Sequence, residues 1–239
     1  MITFNGVNLS TLGWTTTNIS RSPSPILTIN TRTAPNIVGS VFKSRSIGER
    51  DFEVELQYIG KTKAETYNKI SSLVEILDTD EPQQLKFKDM QGGYFKAIVS
   101  NVEMPTQIMS AVKIGVTFKL CDPFFYLDQE STTQFNTKTG VVVNDQGKYH
   151  NWKISLQVQS QSTQVTATIG RTTLTFNGNF IAKDMIAITD AGVVTLNGTH
   201  APHILSLDSR VHPMSLGDNT YTISGNAIMW VKIQGKKFY

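Results

Sequence analysis

Apolar and polar positions alternate most clearly from Asp51 to Tyr58, where Phe52, Val54, Leu56 and Tyr58 are separated by Asp51, Glu53, Glu55 and Gln57. Successive side chains of a strand point to opposite faces, so this period of two predicts a strand with one apolar and one acidic or polar face. Val112, Ile114, Val116, Phe118 and Leu120 repeat the pattern against Lys113, Gly115, Thr117 and Lys119. Both read as half-buried strands of antiparallel sheet. Between them the period changes. Tyr67, Ile70, Val74 and Leu77 recur at spacings of three and four, which predicts a helix from about Lys63 to Asp78 with one apolar stripe. Thr62 with Glu65 three residues on has the form of a capping box, and Asp80-Glu81-Pro82 stops the helix. A hairpin follows, from Gln84–Lys88 through a turn at Asp89-Met90-Gln91-Gly92-Gly93 to Tyr94–Val102.

Residues 129–139, Gln-Glu-Ser-Thr-Thr-Gln-Phe-Asn-Thr-Lys-Thr, carry neither period and read as a structureless linker. They divide the chain into domains 1–128 and 140–239. Beyond them, strand patterns recur at intervals of roughly ten residues: Lys153–Val158, Gln164–Ile169, Thr172–Phe176, Met185–Thr189, Val193–Leu196, Thr220–Ser224 and Ala227–Ile233. Turn signals such as Asn177-Gly178, Asn197-Gly198 and Gly225-Asn226 separate them. Seven short strands without a helix predict an antiparallel β-sandwich.

Composition agrees. Thr, Val and Ile make up 67 of the 239 residues, and branched side chains favour a pleated surface. Charged residues are 17%, which argues against charge-driven disorder and against a coiled coil. The net charge of +3 is unevenly placed. Residues 1–128 carry 13 basic and 13 acidic groups, whereas residues 129–239 carry 9 and 6. Neither half has the clustered Lys and Arg of a nucleic-acid footprint. The single cysteine allows no internal disulfide, no apolar run is long enough for a membrane span, and the N-terminus has no secretory pattern. These features point to folding in a reducing cytoplasm, without membrane insertion.

Candidate chemistry is sparse. Gly60-Lys61-Thr62 lies between a strand and a helix, as in a phosphate-binding loop, but the position five before Gly60 is Glu55 rather than glycine. It reads as a tight strand-to-helix turn. His200, His203 and His212 sit among Pro202 and Pro213, without the fixed facing geometry of a helical metal pair. Cys121 ends a strand and reads as a buried structural thiol. No Gly-x-Ser-x-Gly or His-Glu-x-x-His motif occurs, and the carboxylates of 51–58 alternate along one face rather than pairing. The reading is of a non-enzyme without cofactor or metal. Trp14 reads as a packing anchor. Trp152 and Trp230 fall in strand patterns of the second half; as an alternative to core packing they would stack sugars in a carbohydrate-binding module for cell-wall polysaccharide.

The order of several segments resembles a known family. Ile2-Thr-Phe-Asn-Gly-Val-Asn8, then Arg45-Ser-Ile-Gly-Glu-Arg50 leading into the alternating strand, is similar to the distal tail proteins of phages with long non-contractile tails. So are Glu81-Pro82-Gln-Gln-Leu85-Lys-Phe87-Lys-Asp89 with Tyr94 after the turn, and the aromatic run Cys121-Asp122-Pro123-Phe124-Phe125-Tyr126. Val194-Thr-Leu-Asn-Gly198 and Leu216-Gly-Asp-Asn-Thr-Tyr-Thr-Ile223 resemble the family's second domain. The resemblance implies a mainly β chain: an N-terminal β-sandwich-type domain with one helix and a hairpin, then a galectin-like sandwich. It implies a homohexameric hub ring in the virion, at the distal end of the tail, assembled in the host bacterial cytoplasm. Implied partners are the major tail-tube protein, the tail-associated lysin or tip protein, the tape measure protein and, in some members, receptor-binding proteins; rings stack on one another in some settings. DNA would pass through without specific binding. A lumen that does not trap DNA should avoid positive charge. Glu49, Asp51, Glu53 and Glu55, or else Asp78, Asp80 and Glu81, are therefore the expected channel-facing groups, and the 51–58 face against Lys113 and Lys119 the expected source of charge register between subunits.

Overall fold

The computed structural model describes residues 1–22, 24–33, 38–108 and 111–238. The chain divides into two compact units: Met1–Tyr126 joined by Phe238, and Leu127–Lys237. The first contains β1 (Ile2–Phe4), β2 (Val7–Asn8), β3 (Thr15–Arg21), β4 (Leu27–Arg32), β5 (Val41–Ile47), β6 (Arg50–Ile59), α1 (Lys63–Leu77), β7 (Gln83–Phe87), β8 (Gly93–Val102), β9 (Thr106–Ile108) and β10 (Ala111–Leu120). Its central strand is the one with the strongest alternation. β6 pairs antiparallel with β10 along its whole length, from Arg50 opposite Leu120 to Ile59 opposite Ala111, and with β3 on its other side. β10 also pairs with β8 and β9, and the sheet continues through β7 to β1 and β2.

The inward residues of these strands make an aromatic core. Phe52 meets Phe95 edge-on with ring centroids 4.9 Å apart, and Phe95 meets Phe125 at 5.1 Å. Phe4 packs on Phe118 at 5.2 Å, and Trp14, 2% exposed, on Tyr58 at 5.5 Å. Phe238 stacks nearly parallel on Phe124 at 4.6 Å, so this unit contains a residue that follows the whole of the second unit in sequence.

The helix has the predicted bounds and cap. Thr62 Oγ1 accepts from Glu65 N, while the Glu65 carboxylate accepts from Lys61 N at 2.9 Å and from the Tyr58 hydroxyl at 2.7 Å. The buried stripe differs from the predicted one. Thr66, Leu73 and Leu77 face the core, whereas Tyr67 and Val74 are exposed. The Thr66 hydroxyl donates to Thr62 O within the first turn, which satisfies it and lets the threonine occupy a core position. Gly60 makes the approach possible, because a Cβ there would stand 2.5 Å from Thr66 Oγ1.

The second unit is a sandwich. After β11 (Phe125–Phe135) come β12 (Thr139–Asn144), β13 (Tyr149–Val158), β14 (Ser162–Ile169), β15 (Thr172–Phe180), β16 (Met185–Thr189), β17 (Val194–Leu196), β18 (Thr199–His200), β19 (Gly217–Ser224) and β20 (Ala227–Lys237). One sheet runs β18-β17-β16-β13-β20-β11 and the other β12-β19-β14-β15. Ile154, Leu156, Val231 and Ile233 of the first sheet pack with Val165, Ala167, Ile169, Phe176 and Tyr221 of the second in one buried core. Asn197 and Gly198, with φ of 51° and 84°, make the tight β17–β18 turn that the Asn-Gly pair predicts.

Two expectations are corrected. Residues 129–139 are not a structureless linker: 129–135 lie in β11, 139 opens β12, and Glu130 forms an ion pair with Lys232. Most of β11 after Tyr126 is exposed, so no apolar face marked it in the sequence. Cys121 is exposed, not buried. Leu120 takes the last inward position of β10, and alternation turns the next side chain outward.

Candidate assembly site

The outward face of β6 carries Asp51, Glu53 and Glu55, with Glu49 just before the strand. Its charges are partly compensated within the protomer. Lys113 Nζ lies 2.9 Å from Glu55 Oε1, and Lys119 Nζ 2.8 Å from Glu49 Oε1. Thr17 Oγ1 also donates to Glu55. These hydrogen bonds, Thr17 first and Lys113 second, hold the Glu55 carboxyl below its ordinary value, and Glu49 raises Lys119. Lys113 and Lys119, expected as inter-subunit register, are thus engaged within the protomer, with Glu55 of β6 and with Glu49 just before it, because β10 is the neighbour of β6. Asp51 and Glu53 make no salt bridge among the described residues. Beside them a shallow groove of about 280 Å³ runs between Glu53, Glu55, Glu103 and Gly115.

The remaining acidic candidates stand elsewhere in this unit. Asp78 caps the C-terminus of α1, its N–H donating to Val74 O, and Asp80 and Glu81 follow in exposed positions. The last turn holds no basic residue. Carboxylates at the negative end of a helix dipole are unfavourable, by about 0.3–1 kcal/mol each.

A feature without a sequence signal is the hairpin of β4 and β5. All its residues but Ile47 are exposed. Leu27 lies opposite Ile47, Ile29 opposite Arg45, and Thr31 opposite Phe42, so one face presents Leu27, Ile29, Ile47 and Phe42 together with Arg45 and Thr31. Ile29 is 62% and Phe42 63% exposed. A two-stranded hairpin is marginal alone in water, and a contiguous apolar face marks an interaction surface.

In the second unit, Trp152 is 2% exposed within the core and offers no ring face to a sugar. Its position on β13 alternates inward with Ile154 and Leu156. Trp230 is half-buried on the outer face of β20, in a shallow groove with Thr132, Lys153, Ser155, Met185 and Lys232. His200 lies in β18, His203 in the short 3-10 turn Pro202–Ile204, and His212 in the loop before β19.

Two family models account for most of the chain. The phage tail protein RIFT-related domain matches residues 8–120, and the siphovirus-type tail component, C-terminal domain, matches residues 146–235. The chain belongs to the siphophage distal tail protein family. Among solved structures, the SPP1 Dit protein, described as a paradigm of hub adsorption apparatus in Gram-positive infecting phages, is similar over 99% of this chain and 98% of its own. The TM-score is 0.81 at 17% identity. The phage P2 baseplate in its activated conformation gives TM-scores of 0.57 with Ca and 0.56 with Sr, each at 13% identity over 95% of this chain and 92% of that one. At these identities the likeness is one of fold. No curated protein matches.

The segments that carried the resemblance to distal tail proteins meet in the first unit through Arg50. The residue is 3% exposed, and its guanidinium donates to Pro123 O at 3.3 Å and to Ser22 O and lies 4.9 Å from the centre of the Phe52 ring. Burial lowers its pKa. Arg21 makes a second such junction, with a two-point contact to Asp89 at 2.8 and 2.9 Å and its guanidinium 4.2 Å over Phe87. Both arginines tie a strand of the N-terminal part to a distal-tail motif, a role that their charge alone did not announce.

Proposed function

We propose that this tail component forms a hexameric ring at the distal end of a non-contractile tail, joining the tail tube to the tip or adsorption apparatus. The observation that carries the reading is the β4–β5 hairpin, whose Leu27, Ile29 and Phe42 stand open on one protomer beside the half-buried Ile47. A second copy of the chain is the occupant that a ring supplies to every protomer alike. The family match to tail components and the likeness to a protein described as a hub paradigm support the same assignment. The role is structural rather than catalytic, with the tail-tube protein, tape measure and lysin or tip protein as neighbours.

In this ring, Asp51 and Glu53 with the helix-end Asp78, Asp80 and Glu81 face the channel, and Glu49 and Glu55 face it while partly neutralised by Lys119 and Lys113. An arrangement of carboxylates that costs helix stability is retained where it serves something other than folding.

Light scattering on the purified full chain tests the ring. The expected mass is six times 26.5 kDa, and Phe42→Asp, which puts a charge into the apolar face, is expected to yield a folded monomer. A wild-type monomer at high concentration, or an unaltered hexamer in the variant, overturns the proposed interface.

A further inference from the structure

The edge of a β-sheet carries a row of unpaired N–H and C=O groups, and proteins cover, shorten or blunt such edges. The second unit does so at two of them. β18 is only two residues long. β15 is covered by the loop before β19: Thr173 and Arg210 exchange main-chain hydrogen bonds at 2.9 and 2.7 Å, and Ser206 N donates to Thr175 O at 2.8 Å. β12 is the exception. It ends the sheet β12-β19-β14-β15, and no strand pairs its other side among the described residues. Its six residues, Thr139-Gly-Val-Val-Val-Asn144, include no charge and no proline, and its register with β19 runs without a bulge.

The phase of the pairing shows which groups are free. Ile223 N donates to Lys138 O at 2.7 Å, so the even-numbered residues of β12 are the ones that bond to β19 in this antiparallel ladder. The N–H and C=O groups of Thr139, Val141 and Val143 therefore point away from the sheet. The Thr137 hydroxyl already donates to Thr139 O, which leaves the groups of the two valines. The side chains of Val141 and Val143 are exposed, whereas Val142 and Asn144 are buried.

The strand is complementary to itself. Lys138 precedes it and Asp145 follows it, both exposed and neither in a salt bridge among the described residues. Antiparallel pairing with the same strand sets valine against valine and brings the lysine end of each copy to the aspartate end of the other. We propose that β12 pairs with β12 of a second copy about a two-fold axis, Val141 of each opposite Val143 of the other. The outward groups of these valines then bond across the axis, and the two four-stranded sheets become one. Neighbours around a six-fold ring are not related by a two-fold axis, so this contact is separate from the one that closes the ring. It is about 20 Å long and one strand wide, well below the roughly 1,200 Å² of a standard interface, so it forms at high concentration.

Light scattering on the full chain, from micromolar to millimolar concentration, tests the pair. Whatever mass the chain has at dilution is expected to double as the concentration rises. Val141→Pro removes one outward N–H and no hydrogen bond to β19, and is expected to abolish the doubling. Lys138→Asp and Asp145→Lys each bring like charges together at both ends of the pair, and each is expected to raise the midpoint concentration about tenfold. The two changes combined restore opposite charges, and with them the wild-type midpoint. This charge exchange, on exposed residues, decides the matter even if the proline unfolds the strand. A constant mass, doubling in a folded Val141→Pro variant, or a double variant no better than the single ones overturns the pairing. Growth past doubling overturns it as well, because it marks open-ended aggregation. The ring is tested apart from this, since it sets the mass at dilution and β12 sets only the doubling.

Discussion

Arg50 shows how much one side chain decides in the first unit. Removing a guanidinium from water is costly, and here the cost is offset by carbonyls of Pro123 and Ser22 and by the Phe52 face. A lysine has the charge but not the planar fork. Arg50→Lys is expected to destabilise the chain by about 2–4 kcal/mol, read as a lower urea midpoint with an unchanged slope. The sequence did contain a signal. Arg50 stands in the same register as Phe52, Val54 and Leu56, so the alternation that marks the strand also places the arginine on its buried face. Trp152 has the same parity as Ile154 and Leu156, and that parity by itself argues against ring stacking, because it turns the indole toward the core. The surroundings of His150 and Trp152 were not legible, because Val211, His212 and Pro213, which lie beside them, are about 60 residues further along the chain.

At the scale of elements, what was legible is what has one face in a core. β6, β10 and the hairpin of β7 and β8 emerge with bounds within about a residue or two, as is ordinary for strand ends. β4, β5 and most of β11 do not, because both their faces meet solvent in one protomer, and the alternation of Leu27 and Ile29 with Thr28 and Asn30 is too short to mark a strand by itself. The carboxylates proposed to face the channel could be named only as groups of charges, since nothing in the residues says which surface lines a ring. The helix was found by its cap and spacing, and Leu77 is buried as expected, although Thr66 and Leu73 are buried in place of their neighbours Tyr67 and Val74. Thr62 holds that cap, with its hydroxyl on Glu65 N, and Glu65 in turn receives Lys61 N and the Tyr58 hydroxyl. Thr62→Ala is expected to cost about 1 kcal/mol by thermal or urea unfolding, whereas Thr62→Asn, which can cap equally well, is expected to cost less.

At the scale of the whole molecule, the proposed ring must let a polyanion pass without holding it. Binding to duplex DNA is driven by release of counterions from neutralised phosphates, so its signature is steep loss of retention with added salt. Wild-type chain is expected to show no retention on immobilised duplex DNA even at low salt. Asp51→Lys combined with Glu53→Lys is expected to create retention that salt abolishes. Salt-sensitive retention by the wild type would remove the acidic residues from the channel. The charge asymmetry gains a meaning here, because the first 128 residues balance their charges and the excess of basic groups lies beyond them.

Phe238 sets an order of events. The second unit is an insertion between Tyr126 and Phe238 of the first, so the N-terminal core receives its Phe124 partner only after everything between has left the ribosome. The unit synthesised first is finished last, and a chain cut short before Phe238 lacks the aromatic partner of Phe124.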